Sequence, residues 1–122
     1  MKQPAVPTED SLGPVFWTGL LAHAAKEHYE EIELVPSAGS DYAVRVRRLD
    51  SWQDLGVRGS AGFHSAMIQH LKQLAGFPPS RQISVQQGSF RYRTGQSEYQ
   101  VQVTARVTTS GKEKFTLRMA AA

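Results

Sequence analysis

Apolar residues recur along this chain in two rhythms. Val15, Phe16, Leu20, Leu21 and Ala24 return every three or four positions, which predicts an amphipathic helix. Asp10 or Ser11 suits its N-cap, Pro14 its first turn, and Lys26 to Tyr29 its end. The same rhythm returns in Phe63, Met67, Leu71 and Leu74, with Ile68 widening the stripe. Gly76 suits the position after a helix, and Pro78-Pro79 forbids continuation. The second rhythm has period two and predicts strands. Ile32 and Leu34 alternate in Glu31 to Pro36, and a turn over residues 37–41 leads to Tyr42, Val44 and Val46. After the second helix, Phe90 and Tyr92 alternate, Thr94-Gly95-Gln96 turns, and Tyr99, Val101, Val103, Ala105 and Val107 form a long strand. Ser110-Gly111 turns again before Phe115, Leu117 and Met119. Residues 49–60, around Trp52 and Gly56, show neither rhythm and read as a connection.

Strict alternation means one buried and one wet face, hence an antiparallel meander. The order α-β-β-α-β-β-β then gives an α+β fold: a single antiparallel sheet of about five strands, with two helices packed on one face. Phe16, Leu20, Phe63, Met67, Leu71, Tyr92, Val103 and Leu117 are the expected core. With 122 residues, one domain over 11–119 is expected, with 120–122 as a tail. Residues 1–10 are polar and proline-rich and read as a disordered lead-in. The absence of cysteine excludes disulfides and thiolate metal sites and fits a reducing compartment. No apolar run is long enough to span a bilayer or to serve as a signal-peptide core, so a cytoplasmic location is expected. The net charge of +3 supports nucleic-acid binding only if clustered on one face.

Little in the chain announces catalysis. His23 and His28 are five apart on the first helix, and His64 and His70 six apart on the second; helical ligand pairs need three or four. No metal and no cofactor are expected. Ser110-Gly111-Lys112-Glu113 superficially resembles a phosphate-binding loop, but it lacks the first glycine and the hydroxyl after lysine. Glu27, Glu30, Glu31 and Glu33 read as a charged helix end and a wet strand face. Phe90-Arg91-Tyr92-Arg93 interleaves aromatics with cations. On a strand, however, the two rings share one face and the two arginines the other. Core aromatics with exposed arginines is therefore the reading, not a base-stacking platform.

The motifs, taken in order, resemble the PAS-like N-terminal domain of type II secretion and type IV pilus assembly ATPases. Glu31-Ile32-Glu33-Leu34-Val35-Pro36, after a helix, is similar to that family's "Ser-Asp-Ile-His-Ile-Glu-Pro" strand. Val44 to Asp50 resembles its "Arg-Tyr-Arg-Val-Asp-Gly" strand, and Leu74-Ala75-Gly76-Phe77 the end of its "Lys-Xaa-Leu-Ala-Gly-Leu" helix. Gln86-Gln87-Gly88 with Phe90 looks like the "Pro-Gln-Asp-Gly-Arg-Phe" turn, and Val101 to Met119 like the closing hairpin. The chain departs from the family at Glu33, where the family has His, at Val35, where it has Glu, and at Ser89, where it has Arg.

The resemblance implies a PAS-like fold and a domain without its motor core, because only three alanines follow Met119. In the family, arginines of this domain reach the nucleotide phosphates. Here only Arg45, Arg47 or Arg48 could serve, with Gln86, Gln87 and Gly88 as the turn; the strand pattern alone makes these arginines a wet sheet face, which is the favoured reading, and the resemblance implies the alternative, a residual phosphate-facing edge. The implied function is a non-catalytic assembly domain, not an enzyme, whose partners are protein components of a secretion or pilus machine or a separate ATPase core. The alternative is a regulatory domain holding a small ligand or nucleotide in a PAS-like sandwich, which calls for a pocket between sheet and helices.

Overall fold

The computed structural model describes residues 9–38, 41–57, 60–78 and 85–122. The elements are α1 (Glu9–Glu27), β1 (Glu31–Pro36), β2 (Tyr42–Arg48), β3 (Ser51–Asp54), α2 (Ala61–Ala75), β4 (Val85–Thr94), β5 (Ser97–Val107) and β6 (Glu113–Ala121). The fold is α+β, with two helices on one antiparallel sheet. The sheet has six strands in the order β3-β2-β1-β6-β5-β4. The first strand therefore lies in the middle and joins the last, with Ile32 opposite Leu117 and Leu34 opposite Phe115.

Alternation places Ile32, Leu34, Val44, Val46, Val101, Val103, Phe115 and Leu117 on the inner face, all essentially inaccessible to solvent. Met67, Ile68, Leu71 and Ala75 of α2 and Trp17, Leu20, Leu21 and Ala24 of α1 complete the core. Phe16 and Tyr92 pack at its margin, less deeply than their hydrophobicity suggests, and Phe63 meets the Phe16 ring edge-on, 5.5 Å between centres.

Three sequence expectations need correcting. α1 begins at Glu9, so the last two residues of the expected lead-in are helical, and Pro14 falls in the second turn; residues 1–8 lie outside the described residues. Its buried stripe is centred on Trp17, while Val15 is 58% exposed. Trp17 wins because its Nε1 donates to the Met67 carbonyl at 2.8 Å; a buried indole needs such a partner, and this one fixes the rotation of α1 against α2. The expected connection after β2 also contains β3, a sixth strand, whose Trp52 faces Arg47 across the ladder. It escaped the pattern because it is short and contributes no core residue.

α2 is framed as its sequence requires. The Ser60 Oγ accepts from the Phe63 amide at 3.1 Å. Gly76, at φ 76°, ends the helix, and the Phe77 amide returns to the Lys72 carbonyl at 2.8 Å.

Candidate functional site

The six residues singled out from sequence form no single site. Arg45 and Arg47 alternate with the buried Val44 and Val46, so they lie on the outer face of the sheet. Arg48 lies on the opposite face and donates to the Glu27 carbonyl at the end of α1, at 3.3 Å. Gln86 is buried on the helix side of β4, whereas Gln87 is exposed on the outer face. Gly88 lies within β4, opposite Val103, and not in a turn. Three strands separate β2 from β4, which puts the two groups about 19 Å apart at ordinary strand spacing.

The outer-face arginines are held by carboxylates. Arg47 donates to Glu31 at 3.0 Å and to Glu30 at 3.3 Å. Arg45 lies 3.6 Å from Glu33. From the other side of β1, Arg118 reaches Glu31 at 3.2 Å and Lys114 reaches Glu33 at 3.3 Å. Arg45 and Arg47 also lie over the Trp52 ring, 5.2 and 6.0 Å from its centre. Partial burial pushes the Glu31 carboxyl up, but hydrogen bonds from Arg47 and Arg118 outweigh it and hold the group below the usual carboxylate range. The acidic cluster read from sequence is thus the anionic spine of a charged ladder.

A second polar constellation, which sequence reasoning missed, lies where α2 begins. His64 is only 2% exposed. Its Nδ1 accepts from the Tyr42 amide at 3.1 Å, which leaves the proton of a neutral ring on Nε2. That atom is 3.9 Å from the Asp41 carboxylate. The Tyr42 hydroxyl donates to the Glu113 carbonyl at 2.9 Å. Burial, with the Glu113 carboxylate adding to it, pushes the Tyr42 phenol up and keeps it neutral. Deeper in, the Lys72 ammonium meets Glu113 at 2.7 Å, both side chains nearly buried.

These groups border an open cleft of about 620 Å³, lined by Asp41, Tyr42, Gly62, His64, Ser65 and Lys112 among others. It has hydrogen-bond donors and acceptors of both charges. Among the described residues, no three His, Asp or Glu side chains come together as metal ligands. The only advance signal was spacing: His64 directly follows Phe63 at the start of the helical stripe. Among the described residues, no helix is long and apolar enough to cross a membrane. No protein-family model matches the sequence, and no curated protein is significantly similar to it.

Proposed function

We propose that this domain is a non-catalytic interaction module, related to the N-terminal domain of type II secretion and type IV pilus ATPases. It engages other protein components of such a machine or a separate ATPase core, in the cytoplasm. The observation that carries this reading is the two-layer build with its filled interior. Large side chains from both helices and from β1, β2, β5 and β6 occupy the space between the layers, where a PAS-like sandwich would otherwise hold a ligand. The opposite face of the sheet carries ion pairs and amides and has no covering element among the described residues. A polar, pre-formed face of this kind suits docking to another protein.

The second reading, a small-ligand or nucleotide-binding regulatory domain, draws on the cleft at the start of α2. There His64 Nε2 and Lys112 border the first turn of a helix that has no acidic residue in it.

Residue-resolved NMR titration of the domain with ATP and ADP, each with magnesium, separates the two. The interaction reading expects no shifts at millimolar nucleotide. Shifts around Asp41, His64 and Lys112 would favour the ligand reading. Shifts at Arg45 and Arg47 would restore the phosphate-facing edge that the family resemblance implies. ATP hydrolysis above background would overturn the non-catalytic reading.

A further inference from the structure

Among the described residues, β4 is an unusually complete free edge. It is the terminal strand of the sheet and runs for 10 residues, where 5 or 6 is common. Its ladder with β5 is unbroken from Val85 opposite Arg106 to Thr94 opposite Ser97. It therefore has no bulge, and its sequence has no proline; natural edges commonly use both devices to prevent strand addition.

Which backbone groups face outward follows from the neighbouring ladder. The Ala122 amide donates to the Glu98 carbonyl at 2.9 Å, so Glu98 turns its backbone toward β6. Its partner Arg93 consequently turns its own away from β5. By alternation, Val85, Gln87, Ser89, Arg91 and Arg93 present their amides and carbonyls to the open edge.

We propose that this edge pairs with the same edge of a second copy of the chain, antiparallel and centred on Ser89, making one continuous sheet across two molecules. The strand is complementary to itself in this register. Ser89 faces Ser89, Arg91 faces Gln87 and Arg93 faces Val85, so no two like charges stand opposite each other. On the helix side, Phe90 stands opposite Gly88, and Tyr92 opposite Gln86. The Gln86 Oε1 is buried without a hydrogen-bond partner among the described residues, and a tyrosine hydroxyl directly across the strand pair is a suitable donor. Val85, one of the few exposed large apolar side chains, would lie against the arginine stem of the second copy. A register offset by two residues would either bring Arg91 opposite Ser89 and leave Val85 without a partner, or bring Arg91 opposite Val85 and leave Arg93 beyond the start of β4; only the centred register pairs all five outward-facing residues from Val85 to Arg93.

Sedimentation equilibrium of the whole chain tests this, with Ser89→Lys and Ser89→Glu as variants. Ser89 is exposed on the outer face, so both variants should keep the wild-type circular dichroism. The wild type is expected to reach twice 13.5 kDa reversibly with concentration. Each variant alone should remain monomeric, and an equimolar mixture should dimerise, because lysine then faces glutamate. A wild type that stays monomeric up to its solubility limit overturns the proposal. So does a Ser89→Lys chain that dimerises like the wild type, or a mixture that does not recover. If a variant fails to fold, hydrogen exchange on the wild type decides. Protection of the Gln87, Ser89 and Arg91 amides should rise with concentration, while that of Gly88 and Phe90 stays constant; uniform or absent change refutes the pairing. The inference extends the interaction reading without depending on it, since nucleotide titration and self-association fail independently.

Discussion

Gly88→Ala is expected to destabilise the domain, because of a close approach that the sequence does not reveal. The family resemblance makes Gly88 a turn glycine, kept for its backbone freedom. In the structure it is a mid-strand residue in ordinary extended conformation, opposite Val103. Its requirement comes from α2 instead. A methyl group at position 88 would overlap the Ala75 carbonyl oxygen and come within 2.9 Å of the Phe77 ring. Relief needs roughly 1 Å of displacement, since unstrained carbon–oxygen contacts lie near 3.3 Å. The end of α2 resists it: Ala75 and Phe77 are buried, and the Phe77 amide is tied to the Lys72 carbonyl. Overpacking of this kind costs about 1–3 kcal/mol, and the entropy gained by replacing glycine returns about 0.4–1 kcal/mol. A net loss of about 1–2 kcal/mol is expected, against a total of about 6–18 kcal/mol for a domain of this length.

Urea unfolding followed by tryptophan fluorescence is the assay, with the buried Trp17 as reporter. The midpoint should fall by about 0.5–1 M with the slope unchanged. Gly19→Ala is the control, because nothing lies within 4 Å of its added methyl; there helix propensity alone should add about 0.5–1 kcal/mol. A neutral or stabilising Gly88→Ala, alongside a stabilising Gly19→Ala, would refute the close-approach argument.

Three further outcomes are expected. Lys72→Met leaves Glu113 nearly buried and unpaired, and thermal or urea melts should show a loss of about 3 kcal/mol, much of it recovered by adding Glu113→Leu. Glu31 has a depressed native pKa against an ordinary value of 4.5, so its contribution is complete above that pH and is lost as pH falls through the native value. Glu31→Gln should therefore flatten the acid limb of a stability–pH profile as the pH falls below 4.5, and equal slopes would contradict the assignment. Leu49 holds φ 57° in the β2–β3 turn and is exposed, so Leu49→Gly should raise the melting midpoint, by about 0.5–1 kcal/mol in stability.

The fold was legible where burial follows a simple period. Ile32 and Leu34, Val44 and Val46, and Val101, Val103 and Ala105 alternate because each strand buries one face only, and that is a local property. What could not be read was set by contacts between elements. The Trp17 indole chooses the α1 face through Met67, 50 positions away. β3 forms because β2 offers an edge, not because its own residues demand burial. The candidate site was legible only as residue types. The arginines and the glutamates were both visible, but their pairing across β1 depends on the neighbouring strands. His64 owes its role to the backbone of Tyr42, which no side-chain pattern encodes.

That pairing bears on what the outer face can do. β1 is the junction of the two halves of the sheet, and its ladder to β6 spans only Glu31 to Leu34, against the ten-pair ladder of β4 with β5. Glu31 and Glu33 each hold one cation from β2 and one from β6, so they tie the halves together at this short ladder. Arg45 and Arg47 are therefore electrostatically satisfied, and a phosphate would have to displace a carboxylate to reach them. The surplus of positive charge lies at the other end of the sheet. There Arg91 and Arg93 share the single carboxylate of Glu98, each at 3.9 Å and each largely exposed. A partner drawn by charge would meet the β4 side of the face first, next to the strand whose backbone is open.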